Sequence, residues 1–195
     1  GEMLGAGIVV NHGIAEYIKK NLMLQTSAGN VASREFHIDD KLFGEALKSM
    51  LLRNIGHCLG LTDNMAGSFA YPVDSLRSAA FTDKYGISSS VMDELPFNFI
   101  GYSSEDVEDG LMMLQSQPGS YDIHAIAYLY AGDGRNEGRP FYGKRQKTTD
   151  FYDPRSMSFD LGDDAVESVE YGFSGLAAAV EGINGWIDSE DYDYN

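Results

Sequence analysis

Apolar positions recur with a helical period over several stretches of the chain and with a strand-like pattern over one. In "IAEYIKKNLMLQ" (14–25) they fall at Ile14, Tyr17, Ile18, Leu22 and Met23, which predicts a helix. The clearest pattern is "KLFGEALKSMLLRNIGHCLG" (41–60), where Leu42, Phe43, Ala46, Leu47, Met50, Leu51, Ile55 and Cys58 form one stripe. Asp39 or Asp40 is placed to cap its start, and Gly60 to end it in the left-handed conformation. Gly44 and Gly56 lie inside it; each costs about 1 kcal/mol against alanine, so close packing is the expected reason for both. "VDSLRSAAFTDKYG" (73–86) predicts a short helix, and "SYDIHAIAYLYAG" (120–132) a helix that is buried. "GDDAVESVEYGFSGLAAAVEGINGWI" (162–187) predicts a long closing helix started by Asp163 or Asp164.

"MLGAGIVVNHG" (3–13) is β-rich, bounded by glycines, and predicts a strand. The remainder is loop: polar at 26–38, turn-rich at 62–120 with Pro72, Pro96 and Pro118, and glycine-rich and basic at 132–150. A lone strand is not stable, so the pattern predicts either weaker strands within the loops or further strands before residue 1. No internal repeat or domain boundary interrupts residues 1–195, so a single α+β domain is expected. The chain opens inside a strand and stops in the acidic run "DSEDYDYN", as a fragment of a longer protein would.

Composition narrows the function. With 43% hydrophobic and 12% aromatic residues the chain is a folded globular one. Its net charge of −16 repels nucleic-acid phosphates and anionic lipid, and no apolar run is long enough to span a bilayer. Residues 150–195 hold twelve acids against one base, Arg155. No D-x-D-x-D-G loop occurs there, which favours a solvated face over a calcium site. Cys58 is the only cysteine, so no internal disulfide forms, and no targeting segment is visible.

The chemistry is concentrated in "LLRNIGHCLGLTDN" (51–64). A zincin helix presents H-E-x-x-H: two histidines at i and i+4 reach one metal, and the glutamate takes a proton from zinc-bound water. Metzincins extend this to H-E-x-x-H-x-x-G-x-x-H and support the site with a later Met-turn. "GHCLGLTDN" resembles the family's G-H-x-L-G-L-x-H-N, and "GISSSVMDELPFN" (86–98) its Met-turn segment S-V-M-D-Y-x-P-F-N. "GSYDIHAIAYLYAG" resembles the helix after the Met-turn, "DPRSMSFDLGDDAVESVEYG" (153–172) a D-P-R … D-L-G-D-D segment of bacterial members, and "GEML" the edge strand before the zinc helix. Together they run in order along essentially the whole chain. The sequence resembles the C-terminal part of a bacterial metzincin-type zinc metallopeptidase domain. The resemblance implies an α+β zincin-like fold, mainly helical, with a small sheet or edge strand at the N-terminus. It also implies an extracytoplasmic location: periplasmic, cell-surface or secreted.

The departures fall on the residues that perform the reaction. On this resemblance Arg53 stands in place of the first zinc histidine and Asn54 in place of the general-base glutamate. His57 keeps the second ligand position, Gly60 the turn and Met92 the Met-turn. Asp63 occupies the third ligand position, and Glu94 the position of a tyrosine that in several metzincins touches zinc or the oxyanion. Structural zinc with a full ligand set binds with about 10–16 kcal/mol, so losing one ligand costs several of them. The fixed charge of Arg53 repels a cation as well. An absent general base costs about 10²–10⁴-fold more, and Asn54 cannot accept a proton.

Two arrangements of the site are open. Arg53 can occupy the metal's place and pair with Asp63, Glu94 or both. Alternatively His57, Asp63 and Glu94 can form a rearranged zinc site, a ligand set that zinc accepts. The charge of Arg53 favours the first. Away from this setting, His57 and Met92 would read as core residues, and His124 and Cys58 as packing, with Cys58 buried and inert. Phe69, Tyr71, Phe97 and Phe99 are either cleft walls or packing anchors. The functions that follow are a pseudopeptidase that binds peptide or protein in its vestigial cleft, an altered metallohydrolase, and a structural module. In the first, the ligand would add to the edge strand near residues 3–10 through backbone hydrogen bonds.

Overall fold

The computed structural model describes residues 4–35, 37–132, 141–145 and 153–187. Five α-helices carry the architecture among them: α1 (Ile14–Thr26), α2 (Asp40–Cys58), α3 (Ala79–Tyr85), α4 (Ser120–Ile126) and α5 (Ala165–Ile187). α4 widens into a π-helical turn at Ala127–Ala131, and short 3₁₀ turns form at Val31–Arg34, Ser68–Ala70 and Val73–Arg77. Asp39 caps α2, accepting from the amides of Lys41 at 3.0 Å and Leu42 at 3.4 Å. Asp164 does the same for α5, accepting from Val166 at 2.9 Å and Glu167 at 3.1 Å.

No β-strand occurs among the described residues, which corrects the expected N-terminal strand and small sheet. Residues 4–10 form no strand ladder and are exposed, with Leu4 and Val9 more than nine-tenths accessible. A ladder needs a second chain segment alongside, and none of the described segments supplies one. Met3 of the expected strand, the first three residues of "GEML", part of the basic loop at 132–150 and the acidic run at 188–195 lie outside the described residues.

Three apolar clusters form the interior. α1 and α2 enclose Ile18, Leu22 and Ala46 with Phe97 and Leu114. Val73, Leu76, Ile87, Ile100 and Leu161 form the second. Leu61, Val91 and Met92 form the third, closed by Leu52 of α2 and by Ala125 and Ile126 of α4. The α4 region is less buried than its apolar run suggests, because Ile123, Tyr128, Leu129 and Tyr130 are all more than half exposed. It is anchored instead by Asp122 and, through a 2.8 Å bond from the Tyr130 hydroxyl to the Leu59 carbonyl, to the end of α2.

The loops between α2 and α4 are held by buried polar side chains. Asn98 donates to the carbonyls of Leu76 at 2.8 Å and Met112 at 3.0 Å and accepts from Gly101. Gln115 accepts from the amides of Ile87 at 2.8 Å and Ser88 at 3.1 Å. Asp122 accepts from Ser90 Oγ at 2.7 Å, Val91 N at 2.8 Å and Gly119 N at 2.8 Å, tying the Met92 turn to the start of α4. Buried backbone groups must be paired, and here amide and carboxylate side chains do what a ladder would otherwise do.

The two helical glycines of α2 differ. A Cβ on Gly56 would overlap the sulfur of Met92, so the bare backbone lets the helix settle directly onto the Met92 turn. Gly44 faces open space, and close packing does not account for it. Gly56→Ala is therefore expected to lower stability by about 1–3 kcal/mol through overpacking. Gly44→Ala should raise it by about 1 kcal/mol through helix propensity alone. Urea unfolding of both variants checks the pair.

Candidate functional site

The end of α2 sets the site. Leu61 N bonds Gly56 O at 3.0 Å and Gly60 N bonds His57 O at 3.0 Å, with Gly60 at φ +87°. This Schellman turn needs the left-handed glycine, and it reverses the chain so that Asp63 returns to the helix face that carries Arg53 and His57. The Met92 turn brings Glu94 to the same point.

Arg53 lies between the two carboxylates. Its Nη2 donates to Asp63 Oδ1 at 2.6 Å and its Nη1 to Glu94 Oε1 at 3.3 Å. A second guanidinium closes the cluster: Arg145 Nε donates to Asp63 Oδ2 at 3.0 Å, and its Nη2 pairs with Glu94. His57 Nε2 stands 3.2 Å from Asp63 Oδ1. Its Nδ1 meets the Leu61 carbonyl at 3.1 Å, and since a carbonyl only accepts, Nδ1 carries the proton. Arg53, Asp63 and Glu94 side chains keep only 27%, 23% and 20% of their exposure. Burial opposes ionisation of Asp63 and Glu94, but the bonds and charges of Arg145 and Arg53 outweigh it, and both carboxyls lie below their ordinary values. The same contacts push Arg145 up. Asn54 is outside the cluster: it is exposed, and its amide bonds back to Met50 O at 3.3 Å.

Sequence patterns did not single out Arg145, and no local spacing connects it to α2. It is delivered by Asn64, which is fully buried. Asn64 N bonds Met92 O at 3.0 Å, its Nδ2 donates to Phe141 O at 3.0 Å, and its Oδ1 accepts from Gly143 N at 2.9 Å. Met65 N adds a 2.7 Å bond to Gly143 O, and Tyr142 stacks on Tyr121 at 5.7 Å. The final asparagine of "GLTDN" was the available signal. Beside the cluster, Arg53, Glu94, Met50, Leu95, Pro96 and Phe97 help line a cavity of about 260 Å³. Of the other aromatics, Phe99 borders an adjoining groove, while Phe69 and Tyr71 pack against Phe141 and Phe81. Cys58 is half-buried rather than buried, because its side of the last turn of α2 is only partly covered.

A Met-zincin family model matches residues 35–195, a span that takes in α2, Gly60, Asp63 and the Met92 turn. The chain belongs to the Met-zincin family. Membership implies a zincin-type fold, here without a strand among the described residues. No curated protein and no solved structure matches the chain.

Zinc is the metal that Met-zincin membership implies, and the side chains present do not fit it. Among the described residues no three histidine, cysteine or carboxylate groups are placed to hold a metal. His57 and Asp63 touch, but Glu94 is joined to them only through the guanidinium groups of Arg53 and Arg145. Two fixed positive charges occupy the space between the carboxylates, and a divalent cation there would meet both.

A second pair of carboxylates lies under the Met-zincin's Met92 turn. Asp93 is 3% exposed and accepts from Ser68 N at 2.9 Å, while Ser68 Oγ donates to Asp160 at 3.2 Å. Burial pushes Asp93 up to about 7, against the Ser68 amide and with the charge of Asp160 adding to it. Burial likewise pushes Asp160 up to about 6, and it raises Asp122 against three hydrogen bonds.

Two predictions follow from these shifts. A carboxyl whose folded pKa is raised stabilises the fold below its unfolded value, about 3.9, and loses that contribution as pH rises through the folded one. Thermal stability should therefore fall between pH about 4 and about 7 on account of Asp93 and Asp160. Asp93→Asn should flatten that slope in melts across the range. Asp63 and Glu94 act oppositely: their contribution is complete above about pH 4–4.5 and is lost only as acid protonates them below it. Arg53→Met should remove the shared donor and cost about 1.5–3 kcal/mol, the range for hydrogen bonds to charged groups. Arg53→Lys should recover only part, since one ammonium cannot reproduce a planar fork between two carboxylates. Denaturant midpoints at neutral pH check both.

Proposed function

We propose that this Met-zincin domain has lost peptidase chemistry and binds a peptide or protein segment in its vestigial cleft. The observation that carries the reading is the guanidinium of Arg53 held between Asp63 and Glu94, with Arg145 completing the network. The resemblance puts Arg53 at the first ligand position and Asn54 at the general base. An asparagine cannot take a proton from water, and without a metal that water keeps its ordinary pKa. The architecture around the site is retained: Gly60 makes the turn, and Met92 supports α2 from below through Gly56. The charge network replaces metal bonds as the tie between α2, the Met92 turn and residues 141–145.

The cavity beside Arg53 favours binding over a purely scaffolding role. Its walls combine Met50, Leu95, Pro96 and Phe97 with the charged rim of Arg53 and Glu94, an arrangement that suits one apolar side chain and the polar backbone beside it. The expected addition of a ligand strand near residues 3–10 is set aside, because the described residues 4–10 form no strand. The extracytoplasmic location implied by the family belongs to the same proposal.

The test is zinc content by elemental mass spectrometry after dialysis against micromolar zinc, with a fluorogenic peptide-library assay alongside. The reading expects substoichiometric zinc and no cleavage, and it expects the triple variant Arg53→His, Asn54→Glu, Asp63→His to take up zinc. Stoichiometric zinc in the unaltered chain, lost in His57→Ala, would overturn it in favour of a site built from His57, Asp63 and Glu94.

A further inference from the structure

α5 is built the wrong way round for a helix at a protein surface. The usual arrangement puts large apolar residues inward and polar ones outward. Here the inward face is mostly small: Ser168 and Ala179 are buried, a Cβ on Gly175 would meet Ser103 Cα at 3.2 Å, and one on Gly172 would meet the Phe99 ring at 3.5 Å, with Tyr171 as the large side chain that packs inward, against Val73, Leu76 and their neighbours. The other large apolar residues between Val166 and Val180 face out. Val166, Val169, Phe173, Leu176 and Val180 are 72%, 51%, 68%, 39% and 63% exposed. Their spacings of three, four, three and four residues are those of a coiled-coil seam, the pattern that one helix presents to another. The seam continues into a groove of about 590 Å³ between α5 and α1, walled by Tyr17 and Leu24 and floored by Pro96 and Phe99. A contiguous apolar patch of this kind marks an interaction surface.

Charge selects the occupant. α5 carries Glu167, Glu170 and Glu181 and no lysine or arginine, and its first turn lies among Asp74, Asp163 and Asp164. A second copy of the chain, itself at −16, would set acids against acids across the seam. On α1, Lys20 lies between Tyr17 and Leu24 along the helix, so bases are called for on the α5 flank and not on the other. We propose that the outward seam of α5 and the adjoining edge of α1 dock an amphipathic helix of a partner protein, apolar at its a and d positions and carrying lysine or arginine on the flank that meets α5. This surface adjoins the Arg53 cavity, sharing Tyr17, Pro96 and Phe159 with it, while Phe173 and Leu176 border the groove alone; the inference does not depend on the loss of catalysis.

The test uses the intact chain and two labelled synthetic helices with leucine at every a and d position, one with lysine and one with glutamate at e and g. Fluorescence anisotropy should show the lysine-flanked helix binding at least about tenfold more tightly than the glutamate-flanked one, a difference of about 1.4 kcal/mol. Phe173→Asp should weaken that binding by at least as much without lowering the melting temperature, because the ring is exposed. Glu167→Lys with Glu170→Lys should invert the preference. Equal affinity for the two helices, no binding of either, or binding indifferent to Phe173→Asp overturns the proposal. So does a concentration-dependent dimer in sedimentation that Phe173→Asp abolishes, which would assign the seam to a second copy. Attachment of the chain to neutral lipid vesicles through Phe173 would assign it to a membrane and overturn the proposal equally.

Discussion

Between α2 and α4 the chain runs from residue 59 to residue 119 without a strand, and its buried backbone has to be paired some other way. The rest of the structure depends on how that is done. Asn64, Asn98, Gln115 and Asp122 each bond two or more backbone groups from the interior. An unpaired buried amide costs about 1–3 kcal/mol, so these few side chains decide whether long loops can be part of a core at all. They also decide where the loops go, because a hydrogen bond fixes direction as well as distance.

The charged cluster is a consequence of that scaffold. Asn64 ties three pieces of chain together, and each delivers one member: the turn after α2 brings Asp63, the Met92 turn brings Glu94, and residues 141–145 bring Arg145. Arg53 meets them from α2. Two cations and two anions balance here; Arg53, Asp63 and Glu94 are about three-quarters shielded from water, where an unpaired charge would be costly, and Arg145 closes the cluster from the more exposed side. The two guanidinium groups hold these pieces of chain together by charge-assisted hydrogen bonds of planar geometry. Met92 under Gly56 serves the framework whichever way the site above it is filled.

Both buried Asp93 and exposed Phe173 carry a local cost that the fold tolerates. Asp93 sits under the Met92 turn with one oxygen unpaired and its pKa raised to about 7, so the turn is more comfortable when the carboxyl is protonated. Phe173 keeps an apolar ring mostly in water on the outer face of α5, opposite the glycines that approach Phe99 and Ser103. Each marks a place where one requirement outweighed another.

What the sequence alone determined was local or carried by ordered motifs. The Asp39 cap, the α2 stripe, the left-handed Gly60 and the Asp164 start of α5 are decided within a few residues, so spacing sufficed to find them. The family was legible because α2, the Met-turn and the following helix keep their order and distances. The strand expected at residues 3–13 does not form over its described part, because β-propensity says only that a segment suits a sheet, and a sheet needs a partner. The helix expected at 120–132 is more exposed than its apolar run suggests, because such a run does not say which neighbours cover it. Arg145 was out of reach for the same kind of reason. It lies 92 residues beyond Arg53, and no local spacing links the two. Only the closing of loops around Asn64 places its charge beside Asp63 and Glu94, since long-range pairing is settled by packing and by the satisfaction of buried polar groups, which no window of sequence contains.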